Sequence, residues 1–311
     1  MYDKVKLIIP RVRETPDITG FLSGGVEQTD IKTGEVSTFG SLEGLKVNIF
    51  TGCISITGSL AKYLYPNNIY PLDRHSTKEA VQKLSESLHL DITGALVASL
   101  EYGTQFVMRQ PTDAYLQLLG DMPRMLRANL GGGSLYYQTR SKEQPKTFVF
   151  YDKVADAQAK GMVLPKGFED ANLLKYEMRL KGRLAQQMGV PEVKASTLYE
   201  KEFYRLLMVR YQQSYFSIIK KNRFKSNAME QIKTVTDALE VLFAKLISQS
   251  NQEEINGFLE DLKQAQVFND AKYYSRLKTR LRDIQSKGGA VVPDSLIKEL
   301  DDEIKNVGAY V

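Results

Sequence analysis

The chain has 311 residues, with 42 Lys and Arg against 37 Asp and Glu for a formal net charge of +5, long enough for one large or two medium domains with real cores. A single cysteine, Cys53, excludes an internal disulfide and a cysteine-based zinc cluster. The two histidines, His75 and His89, stand on different segments, so metal chemistry here would rest on carboxylates and other oxygens and favour Mg²⁺ or Mn²⁺ over Zn²⁺. No run approaches the roughly 18 apolar residues of a membrane helix, and charges interrupt "MYDKVKLIIPRVRE" where a signal peptide has its apolar centre. A soluble, cytoplasmic protein with no membrane partner is expected, and its modest positive charge permits a polyanion partner without requiring one.

Up to about residue 182 the pattern is one of short β-type runs. Strands are expected around 4–9, 45–50, 53–57, 95–103, 134–139, 146–151 and 173–181, with helices at about 77–88 and 111–127. Ser76 and Thr77 announce the first helix, Glu79 sits in its first turn, and Val81, Leu84 and Leu88 follow helical spacing. "GGGS" at 131–134, placed between a helix and a strand, lacks the following Gly-Lys-Ser/Thr of a P-loop, so ATP binding is not expected. From Pro191 onward the pattern is helical, near 196–223, 226–249, 252–265, 270–286 and 294–305. The expected fold is α+β: an antiparallel β-sheet with helices packed on one face, forming a catalytic part over 1–190, followed by an α-helical part over 191–311 that binds DNA or a partner. In that second part "KKNRFK", with Lys220, Lys221, Arg223 and Lys225, and "KYYSRLKTRLRD" are basic and partly aromatic, as a phosphate-tracking surface is. Solvated helix faces would read the same way.

Three strands alternate with period two. In "NLLKYEMRLKG" Leu174, Tyr176, Met178 and Leu180 take one face, and Lys175, Glu177, Arg179 and Lys181 form an ionic outer face. In "GALVASLEYGTQF" Glu101 projects from an otherwise uncharged strand, opposite to Leu100 and Tyr102. In "KTFVFYDKV" Phe148 and Phe150 go to the core side, Tyr151 and Lys153 to the other. If the strands share a sheet, Glu101, Tyr151, Lys153, Glu177 and Arg179 point from one open face. Two carboxylates there could hold a divalent ion, a tyrosine hydroxyl could attack phosphorus, and a lysine could stabilise the developing charge. Taken strand by strand, a solvated face with cross-strand ion pairs explains the same alternation.

In order along the chain, "MYDKVKLIIPRV", "ITGSLAKYLYPNNIYPL", "LDITGALVASLEYGTQF", "FVFYDKVADAQAKG" and "NLLKYEMRLKGRL" resemble the phage and plasmid replication initiators of the gene II/X type. These are rolling-circle nickases, and the likeness is nearest to the version in phages and plasmids of Bacteroides-like bacteria. The resemblance covers residues 1 to about 225. It implies that Tyr151 is the nucleophile that becomes joined to the 5′-phosphate of nicked DNA, with Lys153 beside it. It matches Glu101 and Glu177 to the family's acidic positions, and brings Lys62, Asn67 and Asn68 to the site. Mg²⁺ or Mn²⁺ is the expected cofactor, with Glu101 and Glu177 as ligands. Lys175, Arg179 and Lys181 are candidate DNA contacts with the basic helical stretch.

The expected partners are origin DNA, single-stranded or supercoiled duplex, and a host helicase and polymerase; a homodimer is compatible with the sequence. Ser99 stands where the family often has arginine, and "HLD" at 89–91 is not the His-hydrophobe-His metal pair of many rolling-circle nucleases. The rival reading is a non-catalytic origin-binding or copy-number regulatory protein. A tyrosine recombinase would want arginines and a histidine around a C-terminal tyrosine, which Tyr273 and Tyr274 do not supply. Tyr136 and Tyr137 are the more serious competing nucleophiles, since they lie on a strand of the catalytic part.

Overall fold

A computed structural model describes residues 1–12, 15–130, 133–224, 232–249, 252–286 and 291–307. The chain divides into two compact units: Met1–Gln117, Asp121–Ile218 and Glu299–Val311 form the first, Leu118–Gly120 and Ile219–Lys298 the second. The division after Ile218 falls later than the change from strand to helix pattern near residue 190.

The first unit is built on one ten-stranded antiparallel sheet. Its strands are β1 (Tyr2–Pro10), β2 (Ser23–Thr29), β3 (Val36–Leu42), β4 (Leu45–Ile49), β5 (Cys53–Ser59), β6 (Leu96–Met108), β7 (Leu126–Leu130), β8 (Ser134–Gln138), β9 (Lys146–Asp152) and β10 (Asn172–Lys181), in the order β2-β3-β4-β5-β1-β6-β10-β9-β8-β7. Every strand expected from the period-two runs is present, and the fold is α+β. β2, β3 and β7 carried no such signal. β2 reads "SGGVEQT" and is exposed along its whole length, so no buried face imposes an alternation on it.

One face of the sheet carries the aromatic core. Phe150 stacks on Tyr176 with ring centroids 4.3 Å apart, and Tyr176 meets Tyr211 at 4.4 Å. Tyr211 comes from the helix Lys201–Phe216 and donates its hydroxyl to the Tyr176 carbonyl at 2.9 Å. Offset ring pairs of this kind add to their area burial. From Glu299 onward the C-terminal helix Ser295–Asn306 belongs to this unit, tied by Tyr215 to Asp301 and by Tyr115 to Glu299, both at 2.7 Å.

Two helix expectations are corrected. The helix Arg74–Leu88 starts earlier than 77 because Asp73 is its N-cap, and Asp73 and Ser76 form a reciprocal capping box. The stretch 111–127 holds only Thr112–Leu116 as helix before the chain turns into β7, and Gly120 and Pro123 lie in that turn. "GGGS" therefore joins two strands, with residues 131 and 132 outside the described set.

In the second unit the helices Gln252–Gln264 and Ala271–Ser286 agree with the helical pattern, whereas the helix expected over 226–249 runs only over Val235–Gln249, with 232–234 not helical and 225–231 outside the described residues. The helix expected over 196–223 ends at Phe216. Asn222–Phe224 is instead a strand paired with Val291–Pro293, a partner some seventy residues away that local periodicity does not reveal.

Candidate active site

Tyr151 owes its position to the residue after it. The Asp152 carboxylate accepts from the amides of Val154 and Ala155 at 2.9 Å each and caps the helix Lys153–Ala159. The strand therefore ends immediately beyond Tyr151. In register Lys175 of β10 stands opposite Tyr151, and Glu177 lies one pleat further along the same face. The Tyr151 hydroxyl donates to Glu177 Oε2 at 3.1 Å, while Arg179 donates to Glu177 Oε1 at 2.6 Å and reaches to 4.0 Å from Glu101 Oε2. Arg179 and Glu101 are register partners across β10 and β6.

β6 can come this close only because residue 103 is glycine. A Cβ there would sit 2.2 Å from the Tyr176 carbonyl oxygen and 2.6 Å from Glu177 Cα, well inside van der Waals contact. On the other side of β6 the pairing with β1 runs Tyr2 to Tyr102 and Val5 to Leu100, so Asp3 and Lys4 together oppose Glu101. This bulge re-aims both side chains toward the site: Lys4 Nζ lies 3.4 Å from Glu101, and Asp3 accepts from Ser59 at 2.5 Å and from Asn68 at 2.9 Å. Asn68 in turn accepts from Lys153 at 3.1 Å, and Asp156 lies 3.5 Å from that ammonium.

These groups line a cleft of about 730 Å³, with Lys46, Lys62 and Lys160 around it. Burial, and then the charges of Glu177, Asp156 and Asp3, push the Tyr151 hydroxyl well above the ordinary tyrosine range. Burial, and then Lys175, pulls the Lys153 ammonium below the usual lysine range. Burial works against the Asp3 charge, yet Lys175, Ser59 and Asn68 hold its carboxyl below the ordinary value. Burial also opposes the Arg179 charge, but Glu177 and then Glu101 hold it more firmly than usual. A shielded hydroxyl bonded to a carboxylate, with cations alongside, is a set of groups that phosphoryl transfer can use.

A family profile describing the N-terminal part of the replication-associated gene II protein matches residues 1–217. The chain belongs to this family. No curated protein matches the chain. The family is one of phage replication initiators.

In this member of the gene II family the expected residues fall into three groups. Tyr151, Lys153, Glu101, Glu177, Arg179, Lys62 and Asn68 all line the cleft. Lys153 is the first residue of a helix and is only 2% exposed, in place of the open strand face expected from alternation. Lys175 is 1% exposed and donates to Gln105 at 3.2 Å, so it lies beneath the surface that DNA would touch. Lys181 is exposed at the end of β10, and Asn67 lines a neighbouring hollow. Lys220, Lys221 and Arg223 belong to the second unit, and Lys225 lies outside the described residues.

Sequence reasoning missed Asp3, because the bulge that presents it depends on pairing across β1 and β6. Of the competing tyrosines, Tyr136 lines the cleft, whereas Tyr137 is buried against Phe150 and burial raises it to about 12.

Among the described residues no group of three or more His, Cys, Asp and Glu side chains is placed to hold a metal. Glu101 and Glu177, both within reach of Arg179, offer two hard carboxylates facing one cleft. Mg²⁺ commonly takes one or two carboxylates and completes its shell with water and phosphate oxygens; these two are of the right donor chemistry, with the Arg179 guanidinium lying beside both.

Proposed function

We propose that this protein is a site-specific DNA nickase and strand transferase that initiates rolling-circle replication of a phage or plasmid through a 5′-phosphotyrosine at Tyr151. The observation that carries the reading is the Tyr151 hydroxyl donating to Glu177 at 3.1 Å inside a cleft lined by Lys4, Lys46, Lys62, Lys153, Lys160 and Arg179. Tyr151 Oη passes its proton to Glu177 Oε2 as it forms a bond to phosphorus. The bond from phosphorus to O3′ breaks, and the leaving oxygen takes a proton from water to become the 3′-OH that a polymerase extends. Lys153 and Arg179 offset the charge that develops on the non-bridging oxygens. Mg²⁺ or Mn²⁺ held by Glu101 and by Glu177 Oε1, in competition with the Arg179 guanidinium, would, when bound, polarise a phosphoryl oxygen and leave Glu177 Oε2 to take the proton.

The reverse attack, by a 3′-OH on the phosphotyrosine, closes the displaced circle. The broken bond's energy stays in the phosphotyrosine, so no ATP is consumed. Origin DNA, single-stranded or as supercoiled duplex, is the substrate, and a host helicase and polymerase act on the product.

The test is mass spectrometry of the peptide left on a single-stranded origin oligonucleotide after incubation with Mn²⁺. A peptide carrying Tyr151 is expected. DNA binding with no covalent adduct under any divalent ion would leave the non-catalytic, copy-number reading in its place.

A further inference from the structure

Beside the cleft lies a second hollow of about 440 Å³, walled by Pro66 and Asn67 on one side and by Met162, Val163 and Leu164 on the other. Lys62 and Met162 line both hollows, so the two adjoin at those side chains. Lys62 Nζ lies 3.3 Å from Met162 Sδ. The hollow's inner wall is fixed: Leu164 is packed in a cluster with Ile69, Val154, Ala157 and Leu173, and Met162 packs against it. Its rim is not: Val163 is 88% exposed, an apolar side chain that no packing in this unit explains. Asn67 uses Oδ1 to accept from the Ile69 amide at 3.0 Å, which leaves its Nδ2 donors without a protein partner among the described residues.

An apolar floor, one amide donor and a lysine at the junction with the cleft that holds Tyr151 make a site for a neutral ring carried on a phosphate chain. We propose that the hollow is a nucleobase subsite, in which one base of the DNA strand lying in the cleft leaves its stack and packs against Met162, Val163 and Pro66. Its edge accepts from Asn67, and its phosphate lies beside Lys62. Stacking on apolar and aromatic side chains is how single strands are held with little regard to sequence, while an amide at the ring edge adds preference. The proposal rests on the nickase reading only for placing DNA in the neighbouring cleft.

The experiment compares two probes of equal length and charge, a short oligothymidylate and an abasic oligodeoxyribose phosphate, by fluorescence anisotropy. The unaltered protein is expected to prefer the base-bearing probe by about two- to fivefold, at or below the low end of a base stacked on an aromatic ring because this floor is aliphatic. The combined Met162→Ala and Val163→Ala variant is expected to lose most of that preference. Lys62→Met should weaken both probes alike.

Val163→Ala alone, at a solvent-exposed position, keeps the test valid if Met162→Ala lowers the melting temperature, and it should lose part of the preference. Equal binding of the two probes by the unaltered protein, or an unchanged preference in all of these variants, overturns the subsite. Formation of the Tyr151 adduct is read in parallel. An absent adduct with the expected probe preference sinks the nickase reading and leaves the subsite standing, and the converse sinks the subsite alone.

Discussion

Tyr151 and Glu177 meet on the diagonal of two antiparallel strands: Lys175 stands opposite Tyr151, and the carboxylate that takes the hydroxyl's hydrogen bond at 3.1 Å belongs to the next residue on that face. Diagonal neighbours are within reach of long and aromatic side chains. Tyr137 sits on β8 in register with Phe148 and turns to the core instead. We therefore expect Tyr151→Phe to abolish the covalent adduct on denaturing gels while DNA affinity stays within about threefold, the net worth of roughly one hydrogen bond. Tyr136→Phe and Tyr137→Phe should keep the adduct. An adduct surviving in Tyr151→Phe and lost in Tyr136→Phe would move the nucleophile to β8.

The pH dependence follows from the hydroxyl's raised pKa. Throughout the working range Tyr151 is protonated, so without a base only the small phenolate fraction reacts, and that fraction grows about tenfold per pH unit. With Glu177 present the proton leaves during attack, so the single-turnover rate near neutral pH should be nearly flat. Glu177→Gln removes both the acceptor and a charge that helps raise the pKa. Its rate should be far lower at pH 7 and climb steeply with pH. A flat, slow profile in Glu177→Gln would show that this carboxylate does not receive the proton.

Arg179 holds the two carboxylates that would bind a divalent ion, at 2.6 Å from Glu177 and 4.0 Å from Glu101. A cation entering there competes with the guanidinium. We expect Arg179→Met to bind Mn²⁺ roughly two- to fivefold more tightly in calorimetry, the scale of a partly exposed ion pair, and Glu101→Gln to bind it more weakly. Mn²⁺ affinities that ignore all three positions would remove them from the metal assignment.

Gly103 tests the geometry of the sheet itself. Because a Cβ at this position would lie 2.2 Å from a backbone oxygen of β10, Gly103→Ala must push the two strands apart. The cost should be about 1–3 kcal/mol, as for other overpacked sites. Thermal unfolding would reveal it, and an unchanged melting temperature would mean that the strands pair more loosely here. Because Glu177 lies across from Gly103, adduct formation should fall as well.

In the second unit Lys220, Lys221 and Arg223 carry the test of duplex binding. If they neutralise phosphates, replacing all three should flatten the slope of log affinity against log salt by up to about three. Adduct formation on a saturating short single strand should be untouched. An unchanged slope would assign these charges to solubility.

Which side chains share a face was legible from the residues alone. Period two follows from backbone geometry, so Glu177 with Arg179, Glu101 and Tyr151 could each be placed on the face of its own strand away from the core, and their meeting was conditional on the three strands sharing a sheet. The helices of the second unit were legible for the same reason, with period 3.6.

The rest depended on elements meeting in space. Lys153 left the strand face because Asp152 caps a helix where alternation alone continues the strand. Lys175, assigned to a solvated ionic face, is covered by the groups around it and bonded to Gln105. Asp3 reached the cleft only through a bulge between β1 and β6, whose partners lie about a hundred residues apart. Asn222–Phe224 became a strand because Val291–Pro293 pairs with it. Local periodicity reports the direction of a side chain along its own element, whereas burial, register and bulges are properties of two elements in contact, and their free energy appears only once both are in place.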